Sequence, residues 1–211
     1  MTIESIVQKR GITRILHFTT NKGLLGILAS GAAKSRARLP REQYLEYVYK
    51  PNCSIRKNVD WLDYVNLSIQ RINSYFFEIC AKKWHSGDDI WWYILSFSPA
   101  IITHPGVWFA TTNNMYSGVR RDIGPAGLEA LYGPTILWYE SRCVYRDKSK
   151  KPAEPTCAQA EVLYPGELSI EYLTTVYAAE EEHYDLVYGQ MSALGIDTNK
   201  VPILIDRSIF S

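Results

Sequence analysis

The run DIWWYILSFSP, residues 89–99, limits the possible folds more than any other stretch. It is dense in aromatic and β-branched side chains, which suit a pleated, packed surface, so it reads as a strand. RILHFT (14–19), WLDYVNLSI (61–69), GVWFATT (106–112), YLTTVYAA (172–179) and VPILID (201–206) read as further strands. Helices fall between them at uneven intervals. In TNKGLLGILASG (20–31), Thr20 can cap the start, Leu24, Leu25, Ile27 and Leu28 form an apolar face, and Gly31 can end the helix. NSYFFEICAKKW (73–84) starts on Asn73 as N-cap, and Pro125 opens a short helix that Gly133 closes. The acidic start of residues 180–195 suits a helix dipole. Strands and helices do not alternate regularly. The fold class expected is therefore α+β rather than a doubly wound parallel sheet.

The chain has 211 residues, enough to bury a full core as one domain over residues 1–211. Its formal net charge is +1, so any nucleic-acid binding must rest on local basic patches. The polar N-terminus MTIESIVQKRGITR lacks the apolar core of a signal peptide, and no apolar run reaches a membrane span. A cytoplasmic protein with no membrane partner is expected. Cys53, Cys80, Cys143 and Cys157 are scattered without a C-x-x-C pair, and the histidines form no H-E-x-x-H, so no metal is expected. GILASGAAKS (26–35) only echoes a phosphate-binding loop, because Lys34 comes three residues after Gly31 rather than one.

The stretch CAQAEVLYPGEL, residues 157–168, carries the chemistry. If it is a strand, Gln159 and Glu161 share a face with Leu163. Periodicity alone leaves two readings open for that acid: a solvated surface residue or an acid in a cleft. Other polar residues fall at strand ends. His17 and Thr19 share a face in ILHFTT, GVWFATTNN ends in Asn113 and Asn114, and YVNLSIQRIN carries Ser68, Gln70, Arg71 and Asn73.

In this order the segments HFT, NKGLLGILASG, YVNLSIQ, GVWFATTNN and QAEVLYPGELSIEYL resemble the DarT family of DNA ADP-ribosyltransferase toxins. The resemblance covers most of the chain and is most specific at Q-x-E. It implies a split, mainly antiparallel β core flanked by helices. It also implies transfer of ADP-ribose from NAD+, used as a substrate, to a base in single-stranded DNA. RNA or protein acceptors, or a silent NAD+- or nucleic-acid-binding module, are the alternatives.

The resemblance assigns roles as follows. Glu161 stabilises the positive charge at the ribose carbon as nicotinamide leaves. Arg71 is the cation at the pyrophosphate or transition state. His17, Thr19, Gly26 and Asn113 seat NAD+, while Gln159 and Asn73 address the acceptor. The basic residues Arg36, Arg38 and Arg41, within a substrate-covering element at 32–58, hold the nucleic-acid backbone. Some relatives carry an aromatic-x-Pro-Arg segment where this chain has SIQRIN. That departure favours guanine over thymine as the target base. The family also implies a toxin role in a toxin–antitoxin or phage-defence pair, with a macrodomain antitoxin as partner.

Overall fold

The computed structural model describes residues 1–39, 59–84 and 89–211. Helix α1 (Ile3–Arg10) opens the chain, although its sequence looks merely polar. Thr2 and Ser5 cap each other's backbone N–H groups, and Gly11, at φ 68°, closes the helix. Local capping chemistry thus secures a helix that buries chiefly Ile6.

The strands are β1 (Ile15–Thr20), β2 (Ala32–Lys34), β3 (Tyr64–Ile69), β4 (Trp92–Phe97), β5 (Trp108–Ala110) and β6 (Arg121–Ile123). They continue with β7 (Thr135–Leu137), β8 (Cys143–Tyr145), β9 (Glu161–Pro165), β10 (Glu167–Ser169), β11 (Leu173–Ala178) and β12 (Ile203–Ile205). Among the described residues, eight of these form one sheet in the order β12-β11-β4-β1-β3-β9-β5-β6. Only the β11–β12 pair in it is parallel. The architecture is the expected α+β class with a mainly antiparallel core.

The run that opened the sequence reading becomes β4, between β1 and β11. Tyr93, Leu95 and Phe97 point into the larger core cluster, and Ile94 points to a second cluster on the opposite face. Helix α2 (Asn21–Ser30) packs Leu24, Ile27 and Leu28 into the first cluster. Helix α3 (Ser74–Ile79) brings Phe77 against Leu16, Ile94 and Tyr177 in the second. Thr20 and Asn73 cap these two helices as the sequence predicts, and Gly31 ends α2 in the left-handed region. Helix α4 (Gly124–Ala130) has Pro125 in its first turn, and α5 (Glu181–Ala193) has Glu181 and Glu182 in its own.

Residues 32–34 are a correction. The start of the element expected to cover the substrate instead forms β2 and pairs with β10, where two small alanines are buried. Most of the element at 32–58 lies outside the described residues.

One departure from ladder pairing shapes the molecule. Strands β1 and β3 pair at only two positions, Ile15↔Ile69 and Leu16↔Ser68. Beyond them β1 stays with β4 as far as Thr20, while β3 stays with β9 down to Tyr64. The sheet therefore splits between its fourth and fifth strands, β1 and β3.

Replacing fully buried Leu95 by Ala should cost about 2–5 kcal/mol, through lost transfer energy and the cavity left behind. Leu204, in edge strand β12 and 47% exposed, should tolerate Ala within about 0.5 kcal/mol. Urea midpoints at constant slope measure both.

Candidate active site

The split opens onto a cavity of about 650 Å³. Strand β1 supplies His17 and Thr19, β3 supplies Asn66 and Ser68, and β9 supplies Glu161. Helix α2 presents Gly26, where an added Cβ would meet nothing within 4 Å. Asn73 lines the cavity at the start of α3, and Arg36 lines it from the turn after β2.

Glu161 is the first residue of β9 and is only 7% exposed. Its Oε2 accepts from the Asn66 side-chain amide at 2.9 Å and from the Asn114 backbone N–H at 3.0 Å. A buried acid needs such partners. A basic residue completes the setting. Ala110 of β5 stands opposite Glu161 on one side and Arg121 of β6 on the other, so the three form a row across the sheet. Residues in such a row share a face, and the small alanine leaves the charges open to each other. The Arg121 guanidinium donates to the Oδ1 and backbone oxygen of Asn114 and lies 5.0 Å from the Trp61 ring centre. Burial lowers its pKa, and the Glu161 charge opposes that shift.

His17 faces Asn66 across the split, with Nδ1 3.1 Å from the Asn66 carbonyl. A carbonyl oxygen only accepts, so Nδ1 carries the hydrogen and Nε2 keeps the lone pair. Burial pushes the His17 pKa below its ordinary value, partly offset by this hydrogen bond.

Several expected residues lie elsewhere. Arg71 does not reach the cavity. Gln70 turns the chain with φ 65°, its side-chain oxygen accepting from the Thr13 and Arg14 N–H groups. The turn throws Arg71 outward, where it donates to the Ser211 backbone oxygen. Asn113 holds a local turn, its Oδ1 accepting from the Met115 N–H, and its neighbour Asn114 serves Glu161 instead. Gln159 is not on the same strand as Glu161. It sits in the turn before β9, buried, with Oε1 accepting from the Trp138 indole at 2.8 Å. Arg38 pairs with Asp63 at 2.9 Å, and Arg41 lies outside the described residues. Sequence reasoning missed Asn66 and Arg121, and it named Asn114 at a strand end without giving it a role. Asn66 could have been found, because it shares a strand face with Ser68.

Comparison with known proteins places this geometry. The family described as "ssDNA thymidine ADP-ribosyltransferase, DarT" matches residues 16–210. The structure of Thermus sp. 2.9 DarT in complex with ADP-ribosylated ssDNA superposes with a TM-score of 0.66 at 16% identity, covering 95% of this chain and 97% of that one. The same protein in complex with NAD+ gives 0.64 at 16% identity, covering 94% and 98%. Thermosipho africanus DarTG in complex with ADP-ribose gives 0.62 at 14% identity, covering 94% of this chain and 51% of that one. No curated protein matches significantly in sequence. The fold is that of an ADP-ribosyltransferase, an enzyme that takes ADP-ribose from NAD+. Within that class the chain belongs to the DarT family.

His17 makes stability depend on pH. Its pKa is lower folded than unfolded, so the unfolded chain binds the extra proton. Stability is complete above the unfolded value of about 6.5 and falls as pH drops below it. Replacing His17 by Gln should flatten the fall in melting temperature between about pH 7.5 and 5.5. Paired thermal scans check this, and parallel profiles for the two proteins would refute it.

Proposed function

We propose that this chain transfers ADP-ribose from NAD+ bound in the split to a base of single-stranded DNA, with Glu161 as the catalytic carboxylate. The observation that carries this reading is a buried carboxylate, held by two N–H donors, at the wall of a cavity in a DarT-family fold. As the bond from the ribose C1′ to nicotinamide breaks, its electron pair leaves with nicotinamide. Positive charge grows at C1′ and on the ring oxygen, and Glu161 stabilises it. A ring nitrogen or exocyclic amine of the base then bonds to C1′ and loses a proton. His17, Thr19 and Gly26 seat NAD+ in this reading. Arg121 takes the electrostatic role first given to Arg71, supported by its place in the row beside Glu161.

Gln159 acts on the acceptor through the aromatic residues it holds. Its amide engages Trp138 and also the Tyr116 hydroxyl. Tyr116 packs edge-on against Tyr139, 5.1 Å between ring centres, and Tyr139 is exposed. An exposed aromatic face next to the catalytic strand gives an unpaired base a surface to stack on. Asn73 and Arg36, at the cavity wall, meet the nucleic acid from the other side.

The target base separates two signals. The family description names thymidine, whereas SIQRIN in place of a Pro-Arg segment favours guanine. In cells the activity makes the protein a cytoplasmic toxin of a toxin–antitoxin or phage-defence pair. Its partner is a macrodomain that removes ADP-ribose.

Incubation with NAD+ and oligonucleotides carrying guanine or thymine as the single variable base should add one ADP-ribose mass to one of the two. Glu161→Gln should lower the rate at least about 100-fold, the scale of losing a transition-state electrostatic group. Absence of adduct on every base, with RNA and protein acceptors run in parallel, would refute the DNA reading.

Gly26 gives a second test. Gly26→Leu should fill the cavity and weaken NAD+ binding at least about tenfold, while the helix gains about 0.5–1 kcal/mol from losing a glycine. Calorimetric titration and thermal melting read the two effects separately.

A further inference from the structure

We propose that Asn66 is a positioning residue that sets the catalytic carboxylate and the cavity histidine from one point on β3. The inference rests on Glu161 being the catalytic carboxylate. Asn66 lies on β3 where β1 has already parted from it, opposite Leu163 of β9. Its side chain crosses to Glu161 Oε2 at 2.9 Å, and its backbone carbonyl accepts from His17 Nδ1 at 3.1 Å. Asn66 thus links the two walls of the split beyond the point where the strands part. Asn66 itself lines the cavity between them.

The geometry explains why an amide stands there. Glu161 Oε2 already accepts from the Asn114 N–H. A second donor from another strand fixes the plane of the carboxylate as well as its direction. Asn114 is in turn clamped by Arg121, so one donor is held by a charge and the other by strand β3. A neutral donor orients the acid without itself adding a neutralising charge. A lysine or arginine at position 66 would form an ion pair with the acid. The hydrogen bond from His17 goes to the Asn66 backbone carbonyl, so substitution of the Asn66 side chain leaves that acceptor available.

Two substitutions separate orientation from space-filling. Asn66→Ala removes the donor. Asn66→Asp keeps the shape but replaces the donor with a second carboxyl beside Glu161. Kinetics with NAD+ and a reactive oligonucleotide should show kcat falling about 10–100-fold in Asn66→Ala, the scale of a misplaced reacting group. KM for NAD+ should stay within about threefold, the pattern of an interaction realised mainly in the transition state. Asn66→Asp should be at least as impaired as Asn66→Ala. Circular dichroism and melting temperature confirm that both are folded. A residue that merely fills space predicts the reverse order, with the isosteric Asp variant the better enzyme.

Near-normal kcat in Asn66→Ala, or a loss confined to KM, would overturn the proposal. If either variant fails to fold, Asn66→Ser gives the same reading, its shorter hydroxyl restoring part of kcat relative to Asn66→Ala in a folded chain. Equal kcat for the Ser and Ala variants would also overturn it. Glu161→Gln run alongside distinguishes the layers. Full activity there would remove the catalytic reading itself, whereas an inactive Glu161→Gln beside an active Asn66→Ala removes only the role of Asn66.

Discussion

The early parting of β1 and β3 is the constraint on which the rest of the structure depends. Two strands that separate after two residue pairs leave backbone groups without ladder partners, and buried backbone polar groups must find others. Here His17 supplies one such partner by donating to the Asn66 carbonyl. The opening that would weaken a continuous sheet becomes a cavity with polar groups on both walls. The continuous pairing of β1 with β4, and of β3 with β9, keeps each wall rigid. The cavity sits where the sheet is interrupted, and continuous ladders lie on either side of it.

Burying an acid at that opening has an electrostatic cost, which the surroundings offset with hydrogen bonds and a nearby charge. No direct ion pair between Glu161 and Arg121 appears among the hydrogen bonds of the described residues. Arg121 spends its donors on Asn114, and Asn114 offers its backbone N–H to the acid. The arginine therefore acts on Glu161 through the field and through Asn114.

The sequence made much of this legible, because local physics governs those parts. The caps at Thr20 and Asn73, the glycine end of α2 and the aromatic strand β4 follow from short-range rules, and each formed as expected. The acid of Q-x-E was visible as a charge in an apolar run. What stayed hidden was decided by single residues whose conformation departs from type. Gln70 adopts a left-handed backbone that glycine or asparagine would have announced, and it carries Arg71 away from the cavity. Gln159 falls just before the ladder begins, so strand periodicity does not apply to it. The swap of Asn113 for Asn114 is a one-residue shift in a turn, which no pattern of spacing resolves. Arg121 was hidden for another reason: its relation to Glu161 runs through a third strand.

At 14–16% identity to the matched structures, the fold persists across nearly the whole chain. A split sheet of this kind asks for burial on both faces of β4, small residues where charges must see each other, and donors facing the gap. Ala110 shows how little of that is written as a motif. Its identity matters only because Glu161 and Arg121 flank it, and a bulky side chain there would separate a charge pair that lies far apart in sequence. Side-chain size at such a silent position therefore sets how the two charges face each other across the sheet.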